Sequence, residues 1–265
     1  MTPEKIEEWF NRFVFYRHPP SREDIATWLE LFAKADQPIA AKILDSTELI
    51  SEADIQRGYR DALESIEGWH RRKADRMGEW VISGFGGPGE SGAEMLRKFR
   101  EANRLSSASF DYLFATAAEL PEKQLTEDDT VVFVDDFSGT GEQIENLWGK
   151  HVELASGARS FLILTAATEG AIEKIMELEY LEELLLSRVI SRDSDIFADD
   201  NPVFSEAEKE RVFPYCKRAD RKRPKGFGDC GLLFVLSHKT PNNSLPILHA
   251  NSSSWRGLFP RYLNV

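Results

Sequence analysis

Four consecutive apolar residues, Val131-Val132-Phe133-Val134, lead into two carboxylates, Asp135 and Asp136, and then into Phe137-Ser138-Gly139-Thr140-Gly141. An uninterrupted apolar run of this length fits a strand covered on both faces, which is the habit of parallel sheets. Glu142 to Ala155 reads as the helix that follows. The unit is therefore strand, acidic strand end, small polar loop, helix. In open α/β sheets, ligands bind outside the carboxyl ends of strands and beside helix N-termini. Backbone N–H groups and hydroxyls of such a loop suit a phosphate, while the carboxylates suit sugar hydroxyls or a divalent cation. The unit reads as a ribose-phosphate site; a plain strand-turn-helix with a solvated acidic turn is the competing reading.

Other segments repeat the strand-helix alternation. Trp80-Val81-Ile82 begins the α/β part, Phe161-Leu162-Ile163-Leu164 lies within a strand from Ser160 to Thr165, and Leu184 to Ile190 forms another. Helices are expected over Ala93 to Asn103, Glu169 to Tyr180 and Ser205 to Cys216, and residues 104 to 127 fit either helix or strand. This order predicts an α/β fold with a parallel, Rossmann-like sheet and right-handed crossovers. The acidic stretch from Asp193 to Asp200 is expected to loop outward.

After Ile82 comes a glycine-rich loop, Ser83-Gly84-Phe85-Gly86-Gly87-Pro88-Gly89-Glu90-Ser91-Gly92. Glycines let backbone approach an anion closely, so Ser83, Gly84, Gly86, Gly87, Ser91 and Gly92 are pyrophosphate-loop candidates. No Gly-Lys-Ser/Thr closes the loop, so it is not a P-loop. It also lacks Lys and Arg; Arg97 or Arg100 on the next helix would have to reach back to supply charge. A purely structural turn is the alternative.

Residues 1 to 78 read as a helical layer packed on the main sheet, with residues 79 to 265 as the α/β domain. Thr2-Pro3 starts a helix, and Ile6, Trp9, Phe10, Phe13 and Val14 recur at helical spacing. Ser21 with Asp24, and Ser51 with Asp54, have the spacing of capped helix starts. Ile25, Trp28, Leu29 and Phe32 form a second stripe, and Ile39, Ile43 and Leu44 a third. Toward the other end, residues 217 to 225 hold six basic residues and one acid. That run reads as a solvated loop or as a mobile flap over a polyanionic substrate. A buried strand at the centre of Gly226 to His238 and the turn Thr240 to Ser244 follow, and Trp255 is expected to tie the C-terminus onto the helical layer, with stacking over a nucleobase as the alternative.

The formal charge of −12 argues against direct nucleic-acid binding and against an anionic membrane surface. No stretch approaches the roughly 20 apolar residues of a membrane span. Cys216 and Cys230 are isolated thiols, which suits a reducing cytoplasm. His18, His70, His151, His238 and His249 lack metal-binding spacings, and no Gly-x-Ser-x-Gly elbow anchors a hydrolase triad.

The run Val131 to Gly141 resembles the phosphoribosyl-pyrophosphate loop of type I phosphoribosyltransferases. In that family the acidic pair contacts the ribose 2′ and 3′ hydroxyls and the loop wraps the 5′-phosphate. The resemblance assigns Asp135 and Asp136 to catalysis, to the ribose and to Mg²⁺. It assigns Phe137, Ser138, Gly139, Thr140 and Gly141 to the remainder of the ribose-phosphate site. The family usually continues with a small residue and Thr, where this chain has Glu142 and Gln143. Gly226-Phe227-Gly228, the strand after it, and Thr240-Pro241-Asn242-Asn243-Ser244-Leu245-Pro246-Ile247-Leu248 resemble a phosphoribosyltransferase-like branch found in prokaryotic conflict and phage-defence loci. That resemblance implies a protein that binds phosphoribosyl pyrophosphate or a nucleotide and transfers or cleaves a pentosyl group. The alternative is an inactive nucleotide-sensing module on the same fold. It further implies a defence-system partner protein and a homodimer.

Overall fold

The computed structural model describes residues 2–87 and 91–262. In chain order its elements are α1 (Pro3–Phe13), α2 (Arg22–Glu30), α3 (Gln37–Ser46), β1 (Glu48–Ile50), α4 (Glu52–Ser65), β2 (Trp80–Gly84), α5 (Gly92–Ala102), β3 (Thr130–Ser138), α6 (Glu142–Leu154), β4 (Arg159–Thr168), α7 (Glu169–Met176), β5 (Leu181–Ile190), α8 (Glu206–Ala219), β6 (Phe234–Leu236) and α9 (Pro246–His249). Among the described residues no helix is long and apolar enough to cross a membrane.

The chain forms two compact units, one of Met1–Glu52 with Ser191–Val265 and the other of Ala53–Ile190. The sequence places a line near residue 78; the units divide at 52 and again at 190. The first three helices therefore share a unit with the C-terminal quarter of the chain, while nearly all of α4 belongs with the large sheet.

The second unit is the expected parallel α/β fold. Its four strands lie in the order β2-β3-β4-β5, all parallel. Between β2 and β3 the ambiguous segment 104–127 folds into two short 3-10 turns, Ala108–Leu113 and Ala117–Lys123. Between these turns Phe114 makes a parallel bridge to Ile82. Counting Phe114 as a minimal edge strand, the order becomes 2-1-3-4-5, that of a doubly wound sheet whose direction of build reverses between β2 and β3.

Side-chain alternation shows how the faces are covered. Val81, Val131, Phe133, Leu162 and Leu164 share one buried cluster with Ile144, Trp148 and Val152 of α6 and Ile175 of α7. Leu120, on the return from Phe114 to β3, joins the same cluster. The intervening residues Ile82, Val132, Val134, Phe161 and Ile163 are buried outside it. Helices α4 and α5 meet through Tyr59 and Phe99, whose ring centroids are 5.5 Å apart. At Gly58 an added Cβ would lie 1.7 Å from Ser187 Oγ, so α4 sits directly against β5. Stepping outward on one face and back on the other keeps the crossovers right-handed while the sheet grows in two directions.

The first unit gathers α1, α2 and α3 around one core with α8, Leu233, Val235, Ile247, Leu248, Trp255 and Phe259. Apart from Val14, which is exposed, the apolar stripes read from the sequence face this core, and the expected cap of Ser21 and Asp24 forms a full capping box. β1, three residues long, pairs in parallel with β6. Trp255 is tied down as expected: it is buried and its Nε1–H donates to the Ile247 carbonyl at 2.9 Å. The stretch 193–200 does not loop outward. Ile196 and Ala198 are buried, and Asp195 accepts from the Phe197 N–H at 2.8 Å, so the carboxylate shapes a turn that puts its apolar neighbours inside. Helix α8 runs to Ala219, and in the basic run beyond it Asp220 accepts from the Lys222 and Arg223 N–H groups.

Also in this unit, His249 is half-buried at the end of α9, with Nε2 3.2 Å from the Ser244 carbonyl. Burial first, and the Arg261 charge second, pull its pKa down from 6.5 to about 4. A depressed imidazole pKa contributes stability that is present above the ordinary value and lost as pH falls toward the folded one. The imidazole resonances of His249 should therefore show no protonation at pH 5.5 by NMR. Unfolding free energy should drop by about 2 kcal/mol between pH 6.5 and 5 on this account, a drop that His249→Gln removes.

Candidate functional site

The site begins where β2 and β3 part. Their pairing ends at Gly84 and Val134, closed by the Phe85 N–H to Val134 carbonyl bond at 2.9 Å. On its other side β3 continues to pair with β4 through Phe137 with Ala166 and Ser138 with Ala167. The acidic pair thus lies inside the strand and not in a turn after it. Asp is a poor strand former, but continued ladder pairing with the apolar end of β4 overrides that preference. The result is a crevice at the switch point, bounded by the overhanging half of β3 and the loop leaving β2.

Strand geometry separates the two carboxylates, because successive side chains point to opposite faces. Asp135 is 3 % exposed. Its Oδ1 accepts from Ser91 Oγ–H at 2.6 Å and from the Asp136 N–H at 2.9 Å, while Tyr59 donates to its carbonyl at 3.0 Å. Burial, and next the neighbouring Asp136 carboxylate, push the Asp135 carboxyl well above the usual carboxylate range. Asp136 is half-buried, and its Oδ1 accepts from the Phe137 N–H at 2.8 Å. One acid is thereby held toward its neutral form, and the other, half-buried, lies on the opposite face of the strand.

The loop after the acids is fixed by backbone chemistry. The Gly139 carbonyl accepts from Thr168 Oγ1 at 2.7 Å, and the same hydroxyl caps α7 by accepting from the Ala171 N–H. Thr140 Oγ1 lies 3.4 Å from the Glu142 N–H, Ser138 is buried, and Phe137 is half-buried. Gly141 opens α6 with φ +76°, a conformation that favours glycine, and as the N-cap it brings no side chain, leaving the Thr140 hydroxyl as the side-chain acceptor at that end. The N-terminal dipole of this 13-residue helix favours an anion, against the Glu142 and Glu145 carboxylates of its first turn. Lys174 of α7 packs its stem beside Gly141, where an added Cβ would meet Lys174 Cβ at 3.2 Å. Lys174, Thr168 and Tyr59 are missing from the sequence reading, since each comes from an element remote in sequence and carries no local motif.

The glycine loop meets this constellation through Ser91. Ser83 is fully buried at the end of β2, and Gly86 has φ +103°. Gly84 and Gly92 are required for close approach: a Cβ on Gly92 would lie 1.9 Å from the Phe85 carbonyl oxygen, and one on Gly84 would lie 2.5 Å from that of Gly92. Gly87, next along the loop, is exposed. Pro88, Gly89 and Glu90 lie outside the described residues. Arg97 and Arg100 do not turn back to the loop. Arg97 pairs with Glu101 a helical turn onward, and Arg100 pairs with Asp111 and stacks over Phe114 at 4.3 Å. Among the described residues no group of three or more His, Cys, Asp or Glu is placed to hold a metal ion.

Residues 25–261 match the PRTase-CE family, and the chain belongs to that phosphoribosyltransferase-like family. Comparison with curated proteins gives no match. Among solved structures, a hypoxanthine-guanine-xanthine phosphoribosyltransferase is similar at 13% identity over 58% of this chain and 86% of that one, with a TM-score of 0.29.

A raised carboxyl pKa contributes stability that is complete below the ordinary value of about 4 and is lost as pH rises through the folded one. Asp135→Asn keeps an acceptor for Ser91 and removes the ionisation. In urea unfolding followed from pH 4.5 to 8, the wild-type protein should lose stability relative to this variant as pH rises, and the two curves should cross or converge toward the acid end.

Proposed function

We propose that the crevice between β2 and β3 binds phosphoribosyl pyrophosphate, or a nucleotide through its ribose-phosphate. The observation that carries this reading is the acidic overhang of β3 running directly into the glycine-opened start of α6. Asp135 and Asp136 take the ribose hydroxyls, a neutral Asp135 being able to donate as well as accept. Ser138, Gly139, Thr140 and Gly141 cradle the 5′-phosphate, with Lys174 adding positive charge at the same helix end. Ser83, Gly84, Gly86, Gly87, Ser91 and Gly92 take the pyrophosphate. Membership of the phosphoribosyltransferase-like family supports the assignment.

Mg²⁺ fits this donor set in a limited way. It is commonly held by one or two carboxylates together with substrate phosphates and water. Asp136, half-buried, is the suitable carboxylate, whereas Asp135 would first have to release Ser91. When bound, the ion supplies charge for a leaving pyrophosphate. The chain's own residues orient the ribose so that the bond from C1 to pyrophosphate breaks as an acceptor approaches, a transfer or cleavage driven by orientation and electrostatics. The resemblance of Gly226–Leu248 supports a setting in a prokaryotic defence system with a protein partner.

A second reading is a nucleotide sensor that breaks no bond. The mutual engagement of Ser91 with Asp135, and of Arg97 and Arg100 with other partners, favours it because each removes a group that chemistry would use. Calorimetric titration with phosphoribosyl pyrophosphate, with and without Mg²⁺ and alongside AMP and ATP, tests the pocket. Saturable binding that weakens at least about tenfold, or about 1.4 kcal/mol, in the Asp135→Asn/Asp136→Asn protein is expected. Absence of binding by all these ligands overturns the reading. Pyrophosphate release on incubation separates enzyme from sensor.

A further inference from the structure

A cavity of about 300 Å³ lies in the first unit, where the end of α8, the end of α9 and the segment around Arg261 converge. Its polar lining is Asp220, His249, Asn251, Ser252, Arg261 and Tyr262. The cavity is at the small end of the range for organic ligands.

Three features of the lining define what it accepts. Arg261 Nη1 is buried without a hydrogen-bond partner. That atom is closed to the cavity, so the guanidinium meets a ligand through its remaining N–H groups, for which an anionic oxygen is the strongest complement. Asp220 stands at the C-terminal end of α8, where the helix carbonyls already concentrate negative charge and favour a cation. One of its oxygens accepts from the Lys222 and Arg223 N–H groups, and among the described residues no ion pair neutralises it. His249 faces the Ser244 carbonyl through Nε2, so the ring proton is assigned there and Nδ1 is left as an acceptor. Asn251 and Ser252 can each donate or accept.

A simple anion entering this cavity meets Asp220 and the negative end of α8. A simple cation meets Arg261. A small molecule with separated charges of both signs satisfies both groups at once. We propose that this cavity binds a free α-amino acid, its carboxylate on Arg261 and its ammonium toward Asp220 and the C-terminal end of α8. Asn251, Ser252 and the Tyr262 ring then border the amino acid's side chain. The proposal is independent of the ribose-phosphate reading, because every residue in it belongs to the other unit.

The test is calorimetry and thermal melting of the full chain with each proteinogenic amino acid in turn, with inorganic phosphate as a control. At least one amino acid should bind saturably at millimolar concentration or better. Its N-acetyl and its amide derivatives, which each lack one charge, should bind at least about tenfold more weakly. Arg261→Gln and Asp220→Asn should weaken the same amino acid to a similar degree. The derivative series needs no variant, so the answer stands even if Arg261→Gln fails to fold. No binding by any amino acid, equal binding of the derivatives, or undiminished binding to both variants overturns the proposal. Binding of phosphate alone also overturns it, in favour of a simple anion site.

Discussion

The large sheet depends on an asymmetry in how β3 is paired. Toward β2 its ladder stops at Val134, and toward β4 it continues to Ser138. β2 leaves because the chain steps outward there, through α5, to the edge bridge at Phe114. Four further residues of β3 are consequently supported on one side alone. Backbone and side chains at a sheet's switch point are free to meet a ligand in a way that central strand positions are not. Everything polar at the candidate site lies on or around this overhang.

The acidic pair gains its asymmetry from the same geometry. In a turn, both carboxylates would be solvated and nearly equivalent. In a pleated strand one is turned inward and the other outward, so Asp135 becomes a buried, proton-retaining group and Asp136 an accessible one. Ser91 donates to Asp135 and thereby fastens the glycine loop to the overhang. The close passage of Gly84, Phe85 and Gly92 holds that loop from below, at a point where any side chain would collide with backbone. The two loops that the sequence suggests for ribose-phosphate and for pyrophosphate are in this way mechanically joined in one unit.

Much of this was readable from the chain alone, for definite reasons. The apolar runs at 131–134 and 161–164 are long enough to have only one good home, the interior of a parallel sheet, while 184–190, broken by Ser187 and Arg188, makes the partly exposed edge strand. Helix starts with local caps, such as Ser21, were equally plain. Features governed by distant partners were not. The extension of β3 through two aspartates is dictated by β4; the three-residue β1 exists because β6 lies beside it. Phe114 is an edge strand of one residue, below any periodicity. The apolar stripes of α1 to α3 marked a buried face without naming the C-terminal segment that covers it. At 193–200 the acids looked solvated, yet Asp195 caps a turn and Ile196 enters the core. Lys174 carries no motif; only the packing of α7 beside Gly141 brings it to the site.

Hydrogen–deuterium exchange in the presence of saturating phosphoribosyl pyrophosphate and Mg²⁺ tests the central claim most directly, because it reads backbone amides along the whole chain. The account predicts slowed exchange concentrated at Asp136 to Gln143 and at the glycine loop ending in Gly92, with β4 and β5 unchanged. Protection elsewhere with none at the β3 overhang, or no change in exchange anywhere, would contradict it.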